Sequence, residues 1–434
     1  MCLTMGIVVV KLVNQMKAYK ILFLVLCVFC ASCSDHYDID KNILINGDIA
    51  FCGKEMNSDR FDIYLLDLAT GNVKNLTKEF IYNLDNSFGH SIGCSDDMLP
   101  YRASGLEWSP SGNLLILNAG EPFLTIPYVM EISPSGKVLN IARQRAMSPD
   151  EANILEWPNG FSWSSSEDMV AFVGVNSPDG YQNLFIGDLS KWENSAATGE
   201  IVQITNIEQD WPGIVYSPAW SPDGQSIAVS INRHSSGVAI FSKDGESSIF
   251  VTNENHIQLS SVSNPTDPWV NAKPSWFPDS KSLVFIGAIS KDSRTALFSI
   301  NNDGTELRLL IPDGVSNPVV SPSGDSIAYI EYSSHEINTI GRIVGVDTDG
   351  GNKRILATVK PDKTFDFKKY YIRDLSWSPD GKYLIFTSNI SGQFQLYLVT
   401  NDGAQFLQIT NFNGDAVNPL WRPENHDNLL KPTN

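Results

Sequence analysis

Residues 377–388, Trp377-Ser-Pro-Asp-Gly-Lys-Tyr-Leu-Ile-Phe-Thr-Ser, carry the decision about the fold. An indole is followed by turn-forming residues, and these by a run that is apolar on both parities. The same phrase recurs as Leu106-Glu-Trp-Ser-Pro-Ser-Gly, Phe161-Ser-Trp-Ser-Ser-Ser-Glu, Pro218-Ala-Trp-Ser-Pro-Asp-Gly, Pro274-Ser-Trp-Phe-Pro-Asp-Ser and Pro318-Val-Val-Ser-Pro-Ser-Gly, with a last fragment Pro419-Leu-Trp-Arg-Pro. From Trp108 through Trp163, Trp220, Trp276, Val320 and Trp377 to Trp421 the markers are spaced 55, 57, 56, 44, 57 and 44 residues apart. A fixed period of this size marks a repeat architecture, and each copy has room for four short strands.

The run after each turn reads Leu114-Leu-Ile-Leu, Val170-Ala-Phe-Val, Ile227-Ala-Val, Leu283-Val-Phe-Ile, Ile327-Ala-Tyr-Ile and Leu384-Ile-Phe. A strand apolar on both faces must be covered on both faces. Lys243-Asp-Gly, Asn302-Asp-Gly, Thr348-Asp-Gly-Gly and Asn401-Asp-Gly place glycine where hairpins need positive φ. No segment after residue 42 holds a 3.6-residue apolar period long enough for a helix without a Gly or Pro interrupting. The expected fold is therefore all-β, a seven-bladed β-propeller of four-stranded antiparallel blades. The first folded segment has Ile49-Ala-Phe, Ile63-Tyr-Leu-Leu-Asp and Val73-Lys-Asn-Leu-Thr but no marker strand before them. Asn418-Pro-Leu-Trp421 is expected to supply it, closing the ring by pairing the C-terminal strand with the first blade.

These phrases resemble the repeats of TolB-type, WD40-like β-propellers, and the resemblance covers residues 43–424. It implies a fold more than a function, since such repeats occur in periplasmic TolB, in prolyl-oligopeptidase relatives, in propeller lyases and in surface lipoproteins. TolB itself has six blades after an α/β domain, so the seven counted here and the short tether before them depart from it.

Met16-Lys-Ala-Tyr-Lys begins a basic segment, an apolar run follows from Ile21, and Ala31-Ser-Cys33 resembles a lipoprotein processing box. The apolar run is shorter than the roughly 20 residues a membrane span needs. The expected organisation is a signal peptide over 1–32, with 1–15 ahead of the recognisable signal, a lipidated tether over 33–42, the propeller over 43–426 and a tail over 427–434. Cys33 is the expected lipidated residue, with Cys30 the alternative acceptor. An ordinary cleaved signal is the plainer reading. Ser34 after the acceptor fits sorting to the outer membrane, and Asp35, Asp38 and Asp40 fit either a surface tether or a solvated linker facing the periplasm.

The net charge of −18 at pH 7, with no dense basic run, excludes a phosphate-backbone binder. Beyond Cys33 only Cys52 and Cys94 remain; a disulfide between them fits an oxidising compartment, the alternative being a buried Cys52 thiol.

P-loops, dinucleotide fingerprints and paired metal-ligand spacings are absent. His90, His234, His256 and His335 lie in separate segments and read as loop histidines, although propeller lyases assemble such residues around a metal. Asp347-Thr-Asp-Gly350 reads as a hairpin turn, not half a calcium loop. No metal and no cofactor are expected. The candidate ligand face lies in the connections entering the innermost strands: Glu156, Trp157, Asp210, Trp211, Asp267, Trp269, Tyr371, Arg373 and Asp374. Aromatic faces beside carboxylates suit sugars, and paired carboxylates suit glycosidases. In the plainer alternative each ring packs on its own blade and each acid caps a turn. The function expected is a monomeric, non-catalytic envelope scaffold, held at the membrane by its lipid, that binds protein or envelope partners. A surface glycan-binding lipoprotein and a propeller polysaccharide lyase or glycosidase are the alternatives.

Intact-mass measurement on protein extracted from membranes is expected to show a chain beginning at Cys33 with a diacylglycerol adduct. A chain starting elsewhere without lipid refutes the anchor.

Overall fold

The computed structural model describes residues 45–58, 61–78, 91–92, 106–121, 124–144, 156–175, 182–189, 192–193, 196–197, 201–205, 213–233, 236–251, 273–289, 294–332, 341–359 and 372–424. Every regular element among them is a strand. Seven antiparallel sheets form seven blades, in each of which the strands lie in the order first, second, third, fourth. Blade 4 is representative: Gly213–Trp220, Ser226–Arg233, Ser236–Ser242 and Ser248–Val251. The first strands of blades 2 to 7 are Leu106–Trp108, Glu156–Trp163, Gly213–Trp220, Ser275–Trp276, Val315–Val320 and Ile372–Trp377. In blade 1 the first strand is Gly414–Trp421, paired with Asp48–Glu55 through Ile49↔Trp421 and Cys52↔Val417. Each blade's first strand touches that of the next, and the chain of contacts closes on itself. The first strands therefore line the axis, as the repeat predicts.

The double apolar coating does what its pattern demands. In blade 4, Ile227, Val229 and Ile231 pack against Ala171 and Ile186 of blade 3. The alternate residues Ala228, Val238 and Ile240 pack against Leu283 and Phe298 of blade 5. The same division holds at all seven boundaries, each with its own apolar cluster. Full burial of one Val, Ile or Leu is worth about 1.5–3 kcal/mol, so each boundary contributes several such increments.

The repeated turn has a local cause. Ser221 Oγ accepts from Ser226 N at 3.0 Å, Gly224 N donates to Ser221 O at 2.9 Å, and Gly224 sits at φ +68°. Ser109, Ser164, Ser321 and Ser378 accept from the residue five further on in the same way. The Asp347–Gly350 segment is likewise a turn, with Gly350 N donating to Asp347 O at 2.9 Å.

Five marker tryptophans are buried and Trp377 is half-buried. Trp163, Trp276 and Trp377 each donate their indole N–H across a blade boundary, to the carbonyls of Glu107, Ala219 and Val319 at 3.3, 2.9 and 3.2 Å. Blade 6 has Val320 instead of an indole, and Phe277 of blade 5, standing where blades 2, 3, 4, 6 and 7 have serine, joins the same cluster.

Two additions lie outside the four-strand plan. The second strand of blade 2, Leu114–Glu121, outruns its short first strand, and Ser91–Ile92 pairs with the excess. A small hairpin, Trp192–Glu193 with Ala196–Ala197, leaves blade 3 and pairs in parallel with Arg143 and Gln144 on the outer strand of blade 2.

Ring closure is fastened by a residue that the repeat comparison passes over. Arg422, whose side chain is only 9% exposed, donates to Asp48 Oδ2 at 3.1 Å, Gly112 O at 2.7 Å, and Ile132 O and Ser133 O at 3.0 Å each. Its guanidinium carbon lies 5.1 Å from the Trp108 ring centroid. One side chain thus joins the last strand to blades 1 and 2. Burial raises the Asp48 pKa more than Arg422 lowers it. A carboxyl raised in the fold holds its proton more tightly there than in the unfolded chain, so its contribution to stability declines as pH climbs above the ordinary carboxylate range.

Cys52, fully buried on the strand Asp48–Glu55, is disulfide-bonded. Its partner, like Cys33 and Cys94 themselves, lies outside the described residues. Peptide mapping under non-reducing conditions is expected to join the Cys52 and Cys94 peptides; a link to any other cysteine refutes that pairing. Arg422→Ala leaves Asp48 facing an unfilled hole and is expected to cost about 3 kcal/mol, read as a lower denaturation midpoint, with Arg422→Lys recovering only part.

Candidate functional site

The first strands bring a ring of side chains to the axis. Three residues before each marker the described chain has Gly160, Ser217, Lys273, Asn317, Asp374 and Asn418. All but Lys273 have positive φ, from +47° at Asn317 to +63° at Gly160. At these points the pairing with the second strand slips, as between Tyr216 and Ala219, Ser316 and Val319, and Arg373 and Ser376. A β-bulge thus recurs in blade after blade, re-aiming one residue. Left-handed backbone costs a non-glycine residue about 1–2 kcal/mol, so the ring is held by its neighbours. Proline follows at 218, 274, 318 and 419, where the interrupted ladder needs no N–H donor.

Two polar groupings define the channel. Lys273 of blade 5 donates to both carboxylate oxygens of Glu107 in blade 2, at 2.8 Å each, and to Phe161 O of blade 3 at 3.1 Å. Two blades separate 2 from 5 on one side and three on the other, so this side chain spans the enclosed space. It is a crossbar over the axis. Both partners stay partly solvated, 38% and 26% exposed, which limits the pair's worth to about 1 kcal/mol. On the other wall, Asp374 of blade 7 accepts from Asn418 N at 3.2 Å. With its nitrogen turned toward Asp374, the Asn418 amide donates at 3.0 Å to each carboxylate oxygen. Arg373 Nε is 3.2 Å from Asp374 Oδ2, and its guanidinium lies 5.1 Å from the Phe394 ring centroid.

The candidate ligand face is redistributed by these findings. Arg373 and Asp374 meet, but in the innermost strand Ile372–Trp377 and not in the connection before it. Glu156 and Trp157 likewise fall inside the strand Glu156–Trp163. Asp210, Trp211, Asp267, Trp269 and Tyr371 lie outside the described residues, as do His90, His234, His256 and His335. Glu107, Lys273 and Asn418 were missed. The signal for Lys273 and Asn418 was the offset of three residues before the marker, at which every described blade has a small or polar residue; Glu107, one residue before Trp108, carries no such signal. Among the described residues no group of three His, Cys, Asp or Glu is placed to hold a metal ion. Gly89-His-Ser-Ile-Gly93 has the spacing of a nucleophile elbow; of it only Ser91–Ile92 is described, a strand paired with Ala119–Gly120.

Residues 161–425 match the model of the TolB beta propeller domain. The chain belongs to the TolB β-propeller family. It is 26% identical over 254 residues to the Tol-Pal system protein TolB of Francisella tularensis subsp. mediasiatica, an alignment covering 50% of this chain and 53% of that protein. The chain thus spans about half the length of the curated relatives it matches. Among solved structures it resembles an oligogalacturonate lyase in complex with manganese, with TM-score 0.55 and 17% identity over 82% of this chain and 86% of that one. It also resembles one of two prolyl endopeptidases, with TM-score 0.50 and 11% identity over 85% of this chain and 50% of that one. At such identities the likeness is one of fold.

Proposed function

We propose that this TolB-family propeller is a non-catalytic scaffold of the bacterial cell envelope, anchored in the outer membrane through a lipid on Cys33, that binds a protein or other envelope partner at its channel face. The observation that carries this reading is the pair of polar groupings on the first strands of four blades and their entries, the Lys273–Glu107 crossbar and the Asp374–Asn418 pair. Rigid strands from different blades hold groups of both signs at one opening, with hydrogen-bonding capacity left to a visitor. Family membership supports the envelope location, and the Cys52 disulfide suits an oxidising compartment.

The test is crosslinking in the cells that make the protein, followed by purification from their membranes. A discrete partner adduct is expected with the wild type, reduced at least about tenfold by Lys273→Glu with Asp374→Asn, where Asn tolerates the left-handed backbone. An unchanged melting temperature shows that the fold is kept. An adduct that persists undiminished in the double variant, or the lack of any adduct, overturns the reading.

A further inference from the structure

The boundary between blades 5 and 6 is filled differently from its neighbours. At the level of the second strand facing the next blade, the third strand carries Leu65, Val129, Ile186, Ile240 and Leu398 in blades 1, 2, 3, 4 and 7, and all five are buried. Blade 6 has Gly345 there, beside Leu356, and blade 5 has Ser299, half-exposed and paired on its outer side with Arg308, where blades 4 and 7 have Ile249 and Leu407 and blades 1 and 6 have Lys74 and Arg354. Across the boundary Val320 replaces the marker indole, and Phe277 swings in from the turn. Apolar filling has been exchanged for polar lining. The result is a cleft of about 440 Å³ at the turn end of the blades, opposite the end where connections enter the first strands.

Its walls give it a chemical character. Phe277 and Pro278 offer flat apolar surface, while Asp279, Ser299, Asn301 and Arg308 offer acceptors and donors of both kinds. Glu306, beside them, is held at φ +56° in the hairpin turn and pairs with Arg308. Gly324 closes one wall, for a Cβ there would lie 2.8 Å from Pro278. The volume falls within the range of small-ligand sites. Hydroxyl-bearing rings match such a surface: their C–H face meets Phe277 and Pro278, and their hydroxyls meet the carboxylate, amide and guanidinium.

We propose that the cleft between blades 5 and 6 is a carbohydrate-binding site for one or two neutral sugar units, separate from the channel. Saturation-transfer NMR on the intact protein, with glucose, galactose, mannose, N-acetylglucosamine, cellobiose and lactose at millimolar concentration, is the test. At least one sugar is expected to give a signal. Ser299→Leu, which restores the side chain that blades 1 and 7 carry at this position, is expected to abolish that signal while keeping or raising the melting temperature. Asn301→Ala, which leaves the cleft open, is expected to weaken binding about tenfold, equivalent to about 1.4 kcal/mol. Silence from all six sugars, or equal signals from wild type and both variants, overturns the site. Because Lys273 and Asp374 are untouched, partner capture at the channel stands or falls independently.

Discussion

A strand that is apolar on both faces cannot shield itself, and the rest of this molecule follows from that. Each second strand, such as Ile227–Ile231 or Leu283–Ile286, is fully buried only because a neighbouring blade lies on each side of it. Two end blades would be left with one bare face in any open stack, and a ring removes both ends at once. Closure then becomes the point on which stability turns. Arg422 fastens it by tying the last strand to Asp48 and to the carbonyls of blade 2. The buried guanidinium has partners for its donors, and its plane lies near the Trp108 ring, so it replaces water without leaving a naked charge.

Regularity elsewhere makes the exceptions informative. Glu167 and Ser280 occupy turn positions that are glycine in most blades, at φ +61° and +60°. Each offsets the strain with a contact to the preceding blade: Glu167 accepts from the Ser111 hydroxyl at 2.9 Å, and the Ser280 hydroxyl accepts from Asp223 N at 2.9 Å. The loss of the indole at Val320 is answered by Phe277 in the same cluster. Part of the apolar filling thus comes from the neighbouring blade. Ser299 has no such compensation, and space opens beside it.

The channel illustrates how a repeat builds a site. The residue three positions before the marker recurs near the axis in six described blades, so its identity is free to vary where the others are fixed by packing. Lysine in blade 5, aspartate in blade 7 and asparagine in blade 1 turn a symmetric ring into an asymmetric one. The strained bulges at Asp374 and Asn418 are local, but they persist because the second strand and the adjoining blade hold them in place.

How much of this could be read from the chain differs between fold and site. The seven markers, the doubly apolar runs and the Asp-Gly hairpins are local or periodic, and they determined the all-β class, the four-strand blade and the partnership of Asn418–Trp421 with the first blade. Arg373 and Asp374 were found because they stood beside the marker strand. The contacts of Glu107, Lys273 and Arg422 were not, because each reaches a residue 166, 166 or more than 300 positions away, and no local pattern records such a distance. The sequence alone determined which segments had to be covered by neighbours, since apolar periodicity is written residue by residue. Only the tertiary structure decided which polar side chains meet across the axis and which blade boundary is left unfilled, because those depend on how seven near-copies are arranged around a common centre.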